Sequence, residues 1–307
     1  MIQHIIILSI ISLAIIFLFI KLLMSNFNQR YNKVLALIKN ATELRNQKKY
    51  EEAIQIIKQA IKILPSYPYS YYDIAYCFYL ANNYEECLKY LNEAIKFEKN
   101  FTAAYYLFGV IYLNNNDLDN AINYFKKCIE IDFDYVDAYD MLAVCYYKKN
   151  LYNEAIEFLN KSLSYTPNNY KAYNILGIIH ILKSDYIKAE EYFLKSLEIK
   201  NNNFEVLCNL ANLYSIRTQY IKALDYFNKA LAINSNNDKI YYWIGSVLYK
   251  IDNIEKAKEY LIKATELNNK NANAYYLLSI IHSREGNFDL EKECINIVKE
   301  LEPDLLK

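Results

Sequence analysis

Apolar residues follow a helical spacing along most of the chain, and short polar stretches break the pattern at regular intervals. Around Tyr105, Phe108, Gly109 and Tyr112, large and small apolar residues recur three and four positions apart, which is the period of one face of an α-helix. The polar run 114–117, Asn-Asn-Asn-Asp, then interrupts the pattern, as turns do. The pattern therefore predicts paired helices joined by short turns.

A shift of 34 residues brings the chain into register with itself. Small residues fall into columns, and bulky residues fall into other columns between them. One small column is Ala53, Cys87, Ala121, Ala155, Ala189, Ala223 and Ala257, and a second is Ala41, Ala75, Gly109, Ala143, Gly177, Ala211, Gly245 and Ser279. A bulky column is Ile57, Leu91, Phe125, Leu159, Phe193, Phe227, Leu261 and Ile295. Small side chains let helix axes approach closely, and the bulky ones fill the space that remains.

This pattern, as in AYYLFGVIYLNNNDLDNAINYFKKCIEIDF, closely resembles the tetratricopeptide repeat (TPR), and the resemblance covers residues 34–305 in eight units. The resemblance implies an all-α fold, a right-handed α-solenoid of helix–turn–helix repeats, whose concave side is the usual ligand groove. The composition agrees, because 4 Gly and 4 Pro in 307 residues leave few turn-formers for hairpins. In the last unit, Thr265, Glu291 and Lys299 replace apolar or small residues, which indicates a polar C-terminal cap and a chain complete at Lys307.

The N-terminal segment 5–24, IIILSIISLAIIFLFIKLLM, is long and apolar enough to cross a bilayer as a helix. Basic residues lie at its end and after it, with no Lys or Arg before it, so the positive-inside rule places the following chain in the cytoplasm. The sequence predicts a single-pass transmembrane helix at residues 1–24, a linker at 25–33 and a TPR superhelix at 34–307. A cleaved signal peptide is the alternative, although the basic start and the small-residue cleavage site of such peptides are missing.

Charge and residue chemistry argue against several functions. The chain has 35 Lys plus Arg and 35 Asp plus Glu residues, so it has no net positive charge that would favour binding to nucleic acid. The six cysteines form no CxxC pair, which favours reduced, buried thiols over a metal site. His180 and His282 replace aromatic or aliphatic residues of a core column. With no catalytic constellation in the sequence, we expect no enzyme activity, no cofactor and no metal.

The informative surface is the stripe of each first helix that the core does not use. We call it the first-helix stripe, and we expect it to bind a protein or peptide partner. Its residues are Tyr72, Tyr76, Tyr106, Val110, Met141, Val144, Asn174, Ile178, Asn209, Asn212, Tyr242 and Trp243. The stripe is apolar and aromatic in the first half and richer in amides in the second. It lacks the Lys, Asn and Arg clamp with which related domains hold chaperone C-termini.

Two functions remain open at this stage. The first is a membrane-anchored scaffold or adaptor that binds a protein or peptide in its concave groove, because an apolar stripe indicates a partner. The alternative is a structural subunit of a membrane-associated assembly that uses its convex face or ends, with self-association. The sequence does not identify the partner.

Overall fold

The computed structural model describes the backbone of residues 2–306 and the side chains of Phe17 and residues 20–306. Across this range the chain forms sixteen α-helices, two for each 34-residue repeat, and no β-strand. The all-α prediction is confirmed. After the long first helix, first helices of 13 residues alternate with second helices of 14.

The helices follow the predicted repeat. Those of the N-terminal part are α1 (Ile2–Asn46), α2 (Tyr50–Ile63), α3 (Pro68–Leu80), α4 (Tyr84–Phe97), α5 (Thr102–Asn114), α6 (Leu118–Ile131) and α7 (Val136–Lys148). Those that follow are α8 (Tyr152–Tyr165), α9 (Tyr170–Leu182), α10 (Tyr186–Ile199), α11 (Phe204–Ile216), α12 (Tyr220–Ile233), α13 (Asp238–Lys250), α14 (Ile254–Leu267), α15 (Ala272–Arg284) and α16 (Phe288–Leu301). A 3₁₀ turn, Pro303–Leu306, comes last.

The structure corrects the reading of the N-terminal region. Helix α1 runs unbroken through residues 25–33, which were predicted to be a linker. The predicted anchor lies mostly on residues 5–16, 18 and 19, outside the residues whose side chains are described. In the part of the chain that the structure describes, no helix is both long enough and apolar enough to cross a membrane. The predicted single-pass membrane localisation, with the repeats facing the cytoplasm, is therefore wrong.

The chain divides into two compact units, residues 1–149 and 150–307. Within each unit, a first helix packs against the second helix of its own repeat, and that second helix packs against the next first helix. Some neighbouring first helices also touch, as α5 and α7 do in the first unit and α9 and α11 do in the second. The first-helix stripe therefore spans adjacent repeats within a unit.

The small columns lie where helices meet. Ala53, Cys87 and Ala121 are fully buried in the first unit, as are Ala155 and Ala189 in the second. The bulky column fills the adjoining space with side chains such as those of Phe125, Phe193 and Phe227. The size pattern in the sequence is thus the packing pattern of the helices.

The turns inside the repeats share one geometry. Each contains a residue in the left-handed region, with φ between 57° and 62° at seven positions and 78° at Gly286. The eight positions are 34 residues apart: Lys48, Asn82, Asn116, Asn150, Ser184, Thr218, Asp252 and Gly286. At Asn82 and Asn83 the backbone N–H groups donate to the carbonyl oxygens of Tyr79 and Phe78, at 3.0 and 2.9 Å, which is a Schellman C-cap. Each turn therefore ends one helix and starts the next within three residues.

Candidate functional site

The first-helix stripe contains eleven half-buried residues and one buried residue, Asn174. Half-burial is the exposure expected of side chains that border the core and face solvent. Because α1–α7 belong to one unit and α8–α16 to the other, the two halves of the stripe are described separately.

In the first unit the stripe begins with a cluster of stacked aromatic rings. The Tyr72 ring lies 6.2 Å from the Tyr76 ring and 5.3 Å from the Phe101 ring. The Arg45 guanidinium lies 5.1 Å above the Tyr76 ring and forms a 2.8 Å salt bridge with Asp73. Burial raises the pKa of the Tyr72 hydroxyl. These rings already pack on one another, so they form a continuous apolar wall.

The same wall continues at Tyr106. Its ring lies 5.6 Å from that of Phe125 and 5.5 Å from that of Tyr135, and burial raises its pKa. Val110, Met141 and Val144 extend the wall as half-buried side chains.

The structure also shows a residue that the sequence reading passed over. Asp140, not Met141, occupies the position equivalent to Tyr72 and Tyr106 in the 34-residue register, and its side chain is buried. The 34-residue spacing indicates Asp140, but the sequence prediction chose its apolar neighbour, Met141, instead.

In the second unit the stripe opens with a chain of polar side chains. The Asn209 Nδ2 group donates to Asn174 Oδ1 at 2.9 Å, and Asn174 Nδ2 donates to Glu205 Oε1, also at 2.9 Å. Asn174 was predicted to be a partner-binding residue of the stripe. Its donor and acceptor are instead used inside the protein, so it positions Asn209 and Glu205. Ile178, beside it, packs against the core of this unit.

Farther along, Tyr242 and Trp243 separate two cavities. One, of about 310 Å³, is lined by residues that include Asn212, Phe227 and Lys250. The other, of about 380 Å³, has a polar lining drawn from α13, from the turn before α15 and from Glu302. The Trp243 ring stacks on that of Phe227 at 5.7 Å, and burial raises the pKa of Tyr242. This part of the stripe combines apolar surface with polar groups and open volume, as ligand pockets do.

The cysteines and His180, which lie outside the stripe, are packed in the protein interior. All six cysteines are buried, and burial raises their pKa values, to about 12 for Cys87, Cys145 and Cys208. His180 is buried against the Tyr192 ring at 5.3 Å. Among the described residues, no group of three or more His, Cys, Asp or Glu side chains is arranged to hold a metal ion.

Known structures resemble this chain in fold. Pseudomonas aeruginosa PilF is 23% identical, with a TM-score of 0.60, and the match covers 66% of this chain and 92% of that one. A chain of the APC/C hetero-tetramer Cut9–Hcn1 is 16% identical, with a TM-score of 0.63, and the match covers 87% of this chain and 53% of that one. At these identities the similarity concerns the fold alone. No curated protein sequence matches the chain significantly.

Family profiles agree with the repeat architecture. Four profiles described as tetratricopeptide repeat match residues 44–108 and 217–281, 102–135, 136–169, and 169–236. Together these matches run without a gap from residue 44 to residue 281. On its repeat register, its helix pairs and these matches, the chain belongs to the tetratricopeptide repeat family.

Proposed function

We propose that this chain is a protein-interaction scaffold and that a segment of a partner protein binds along the first-helix stripe, with its main anchor beside Trp243. The observation that carries the proposal is the pair of cavities, of about 310 and 380 Å³, that meet at Tyr242 and Trp243. An apolar or aromatic side chain of the partner fits against the exposed part of the Trp243 ring. The partner's backbone can form hydrogen bonds with the Asn212 amide and the Ser246 hydroxyl, which line the same cavity.

The first unit contributes differently. Its aromatic wall has no amides at the stripe positions and is held by ring contacts among its own residues, such as Tyr72 with Phe101. A wall of this kind can contact apolar side chains of a partner, but it has no polar groups that would fix the position of the partner's backbone. We therefore place the specificity of the proposed binding in the second unit.

The side chains most capable of nucleophilic or acid–base chemistry, the cysteines and His180, are buried. The cysteines are buried, with raised pKa values, and thiols in that state are poor nucleophiles. His180 fills a core position of its helix. The function best supported by these side chains is binding rather than catalysis.

Site-directed photo-crosslinking tests the proposal. A photoreactive amino acid replaces Asn212, which lines the cavity beside Trp243, and in a matched control it replaces Asn228, which is exposed on α12. We expect illumination in cells to join a discrete partner to the Asn212 variant and not to the Asn228 variant. Trp243→Ala in the Asn212 background removes the anchor and should abolish the crosslink.

The opposite pattern contradicts the proposal. If the Asn228 variant captures the partner and the Asn212 variant does not, the second helices are the working surface. The chain would then act as a structural subunit of an assembly, which is the alternative function. Crosslinks from the Asn212 variant to a second copy of the chain would also replace partner binding with self-association.

A further inference from the structure

One edge of the second unit carries large aliphatic side chains that face solvent. Ile187 on α10 is 76% exposed and Ile221 on α12 is 84% exposed, and they occupy equivalent positions of successive repeats. Leu182 and Ile216, the last residues of α9 and α11, are also exposed. We call these four residues the edge patch. Single exposed aliphatic residues are ordinary, whereas a repeated set marks an interaction surface.

The equivalent positions of the other repeats are polar. They hold Glu51, Glu85, Asp119, Asn153, Glu255 and Asp289. Within residues 50–301, every second helix except α10 and α12 has an acidic residue in its first turn. Acidic residues there interact favourably with the helix dipole. Helix α12 has no acidic group there, whereas α10 keeps its N-cap, Asp185. Both helices expose isoleucine at this position, where a side chain in solvent gains little from burial, so folding stability does not account for the change.

A cavity lies within this edge. Its volume is about 460 Å³, and Tyr220, Ile221 and Ile251 supply its apolar lining. Gln219 also lines it, and the buried Oε1 atom of Gln219 has no hydrogen-bond partner among the described residues, a state that buried polar atoms rarely adopt. A cavity of about 400 Å³ recurs at the equivalent place of an earlier repeat, where its lining includes Asn153 and Lys183. The cavity thus occurs at two repeat edges, and isoleucine side chains line only the one at Ile221 and Ile251.

The charges around the edge patch select the partner. Lys183, Lys188 and Lys222 are exposed beside it. Lys188 lies 3.5 Å from Asp185, whereas Lys183 and Lys222 form no salt bridge within the part of the chain that the structure describes. Two copies of the chain meeting patch to patch would bring like charges together, which is unfavourable.

We propose that the edge patch binds a segment of another protein in which aliphatic side chains are flanked by aspartate or glutamate. One aliphatic side chain enters the cavity between Ile221 and Ile251, and the carboxylates pair with Lys183, Lys188 and Lys222. The edge patch adjoins the first-helix stripe, because Ile216 also lines the cavity beside Trp243. The inference rests on Ile187, Ile221 and the cavity at Ile221 and Ile251, which the stripe does not use.

Peptide display on the full-length chain tests this inference. The probe is a library of amphipathic peptides with leucine and glutamate at helical spacing, and its counterpart replaces glutamate with lysine. We expect only the acidic library to yield binders. Ile187→Asp combined with Ile221→Asp should weaken their binding at least about tenfold, because apolar contact is lost and carboxylate faces carboxylate. The binding should also weaken as salt is added.

Asn92→Asp adds a carboxylate at an exposed position of α4, in the other unit, and should leave binding unchanged. Helical circular dichroism should not differ among the variants, since the substituted side chains are exposed. Failure of the acidic library to yield binders would overturn the inference. So would binders that tolerate the double substitution and are lost with Trp243→Ala, because they occupy the stripe. Concentration-dependent dimers that the double substitution abolishes would identify a second copy as the occupant and reject the acidic partner.

Discussion

Phe193 occupies the space that a side chain on Gly177 would need. A Cβ atom built on Gly177 would lie 2.5 Å from Cε1 of Phe193, and the Phe193 side chain is fully buried. The same relationship recurs in the first unit, where a Cβ on Gly109 would lie 2.5 Å from Phe125. The Phe193 ring, and not a turn, therefore favours glycine at this position. Ala211 and Phe227 hold the equivalent positions of the next repeat, so the constraint depends on how each ring is placed.

Gly177→Ala should destabilise the protein although it occurs within a helix. Alanine gains about 1 kcal/mol over glycine in a helix interior, whereas overpacking a core costs about 1–3 kcal/mol. The expected net loss is about 1 kcal/mol, read as a lower urea midpoint. Gly177→Ala combined with Phe193→Leu recreates the pair found at Ala143 and Leu159, both fully buried, so Gly177→Ala should cost much less in that background. An equal loss in both backgrounds would show that the ring is not the cause.

Thr218→Gly should stabilise the protein. Thr218 has a φ of 57°, and the left-handed region costs an ordinary residue about 1–2 kcal/mol. Part of this gain is lost because glycine has more freedom in the unfolded chain. We expect a net gain of about 0.5–1 kcal/mol, seen as a higher melting temperature.

Asn116→Gly is the matched control, because asparagine tolerates the left-handed region. Its φ is 59°, so the geometry is the same and only the side chain differs. Its melting temperature should change less than that of Thr218→Gly. The reverse order would mean that the hydroxyl or the methyl group of Thr218 makes a stabilising contact.

The stability of the protein should fall as the pH drops through the titration of His180. Burial lowers the pKa of His180 in the folded protein, and it outweighs Asp185, whose Oδ2 lies 3.3 Å from Nδ1. Lys183 and Lys188 act in the same direction as burial. Below about pH 6.5 the unfolded chain binds a proton that the folded protein does not yet bind, so protonation favours unfolding.

His180→Tyr places at this position the residue found at Tyr146 and Tyr214 in the same column. The variant should lose less stability than the wild type between pH 7.5 and pH 5.5, where histidine titrates, as measured by thermal unfolding. His282→Tyr is a control at the equivalent position of the last repeat. If the wild type and His180→Tyr respond equally to pH, another group governs this range.

Asn174→Leu should destabilise the fold and leave partner binding intact. The substitution removes the hydrogen bonds that Asn174 makes with the Asn209 amide and the Glu205 carboxylate. Because Asn209 is half-buried and Glu205 is exposed, the expected loss is about 0.5–1.5 kcal/mol for each bond. Asn212→Leu, at a cavity-lining position of the same stripe, should have the opposite profile, with weak partner capture and near-normal stability. If both variants lose partner binding, Asn174 contacts the partner and the prediction for Asn174→Leu is wrong.

The repeat register made the helices and their packing columns predictable, because small and bulky side chains recur at the contacts themselves. Ala155 and Leu159, for example, were assigned to the core and are fully buried. The left-handed turns were not predictable, since Ser184 and Thr218 stand where glycine would be the usual signal.

Two further features required coordinates. The burial of Asn174 depends on hydrogen bonds to residues more than thirty positions away. The cavity at Ile221 and Ile251 could not be recognised either, although the repeat register places Ile187 and Ile221 in a column that is polar in the other repeats. In the N-terminal region, hydropathy alone favoured a membrane anchor, and no side-chain pattern there revealed that α1 extends into the first repeat.

The shared turn geometry makes the repeats interchangeable as segments of a gene. A recombination event that joins Ser184 to Gln219 removes 34 residues and connects two turns whose left-handed residues have φ values of 59° and 57°. Helix α9 then meets α12 where it met α10, and Phe227 takes the place of Phe193 over Gly177. No new turn and no new core contact has to arise. Length changes in this solenoid are therefore tolerated in whole repeats, while an insertion of any other size shifts every later column out of register.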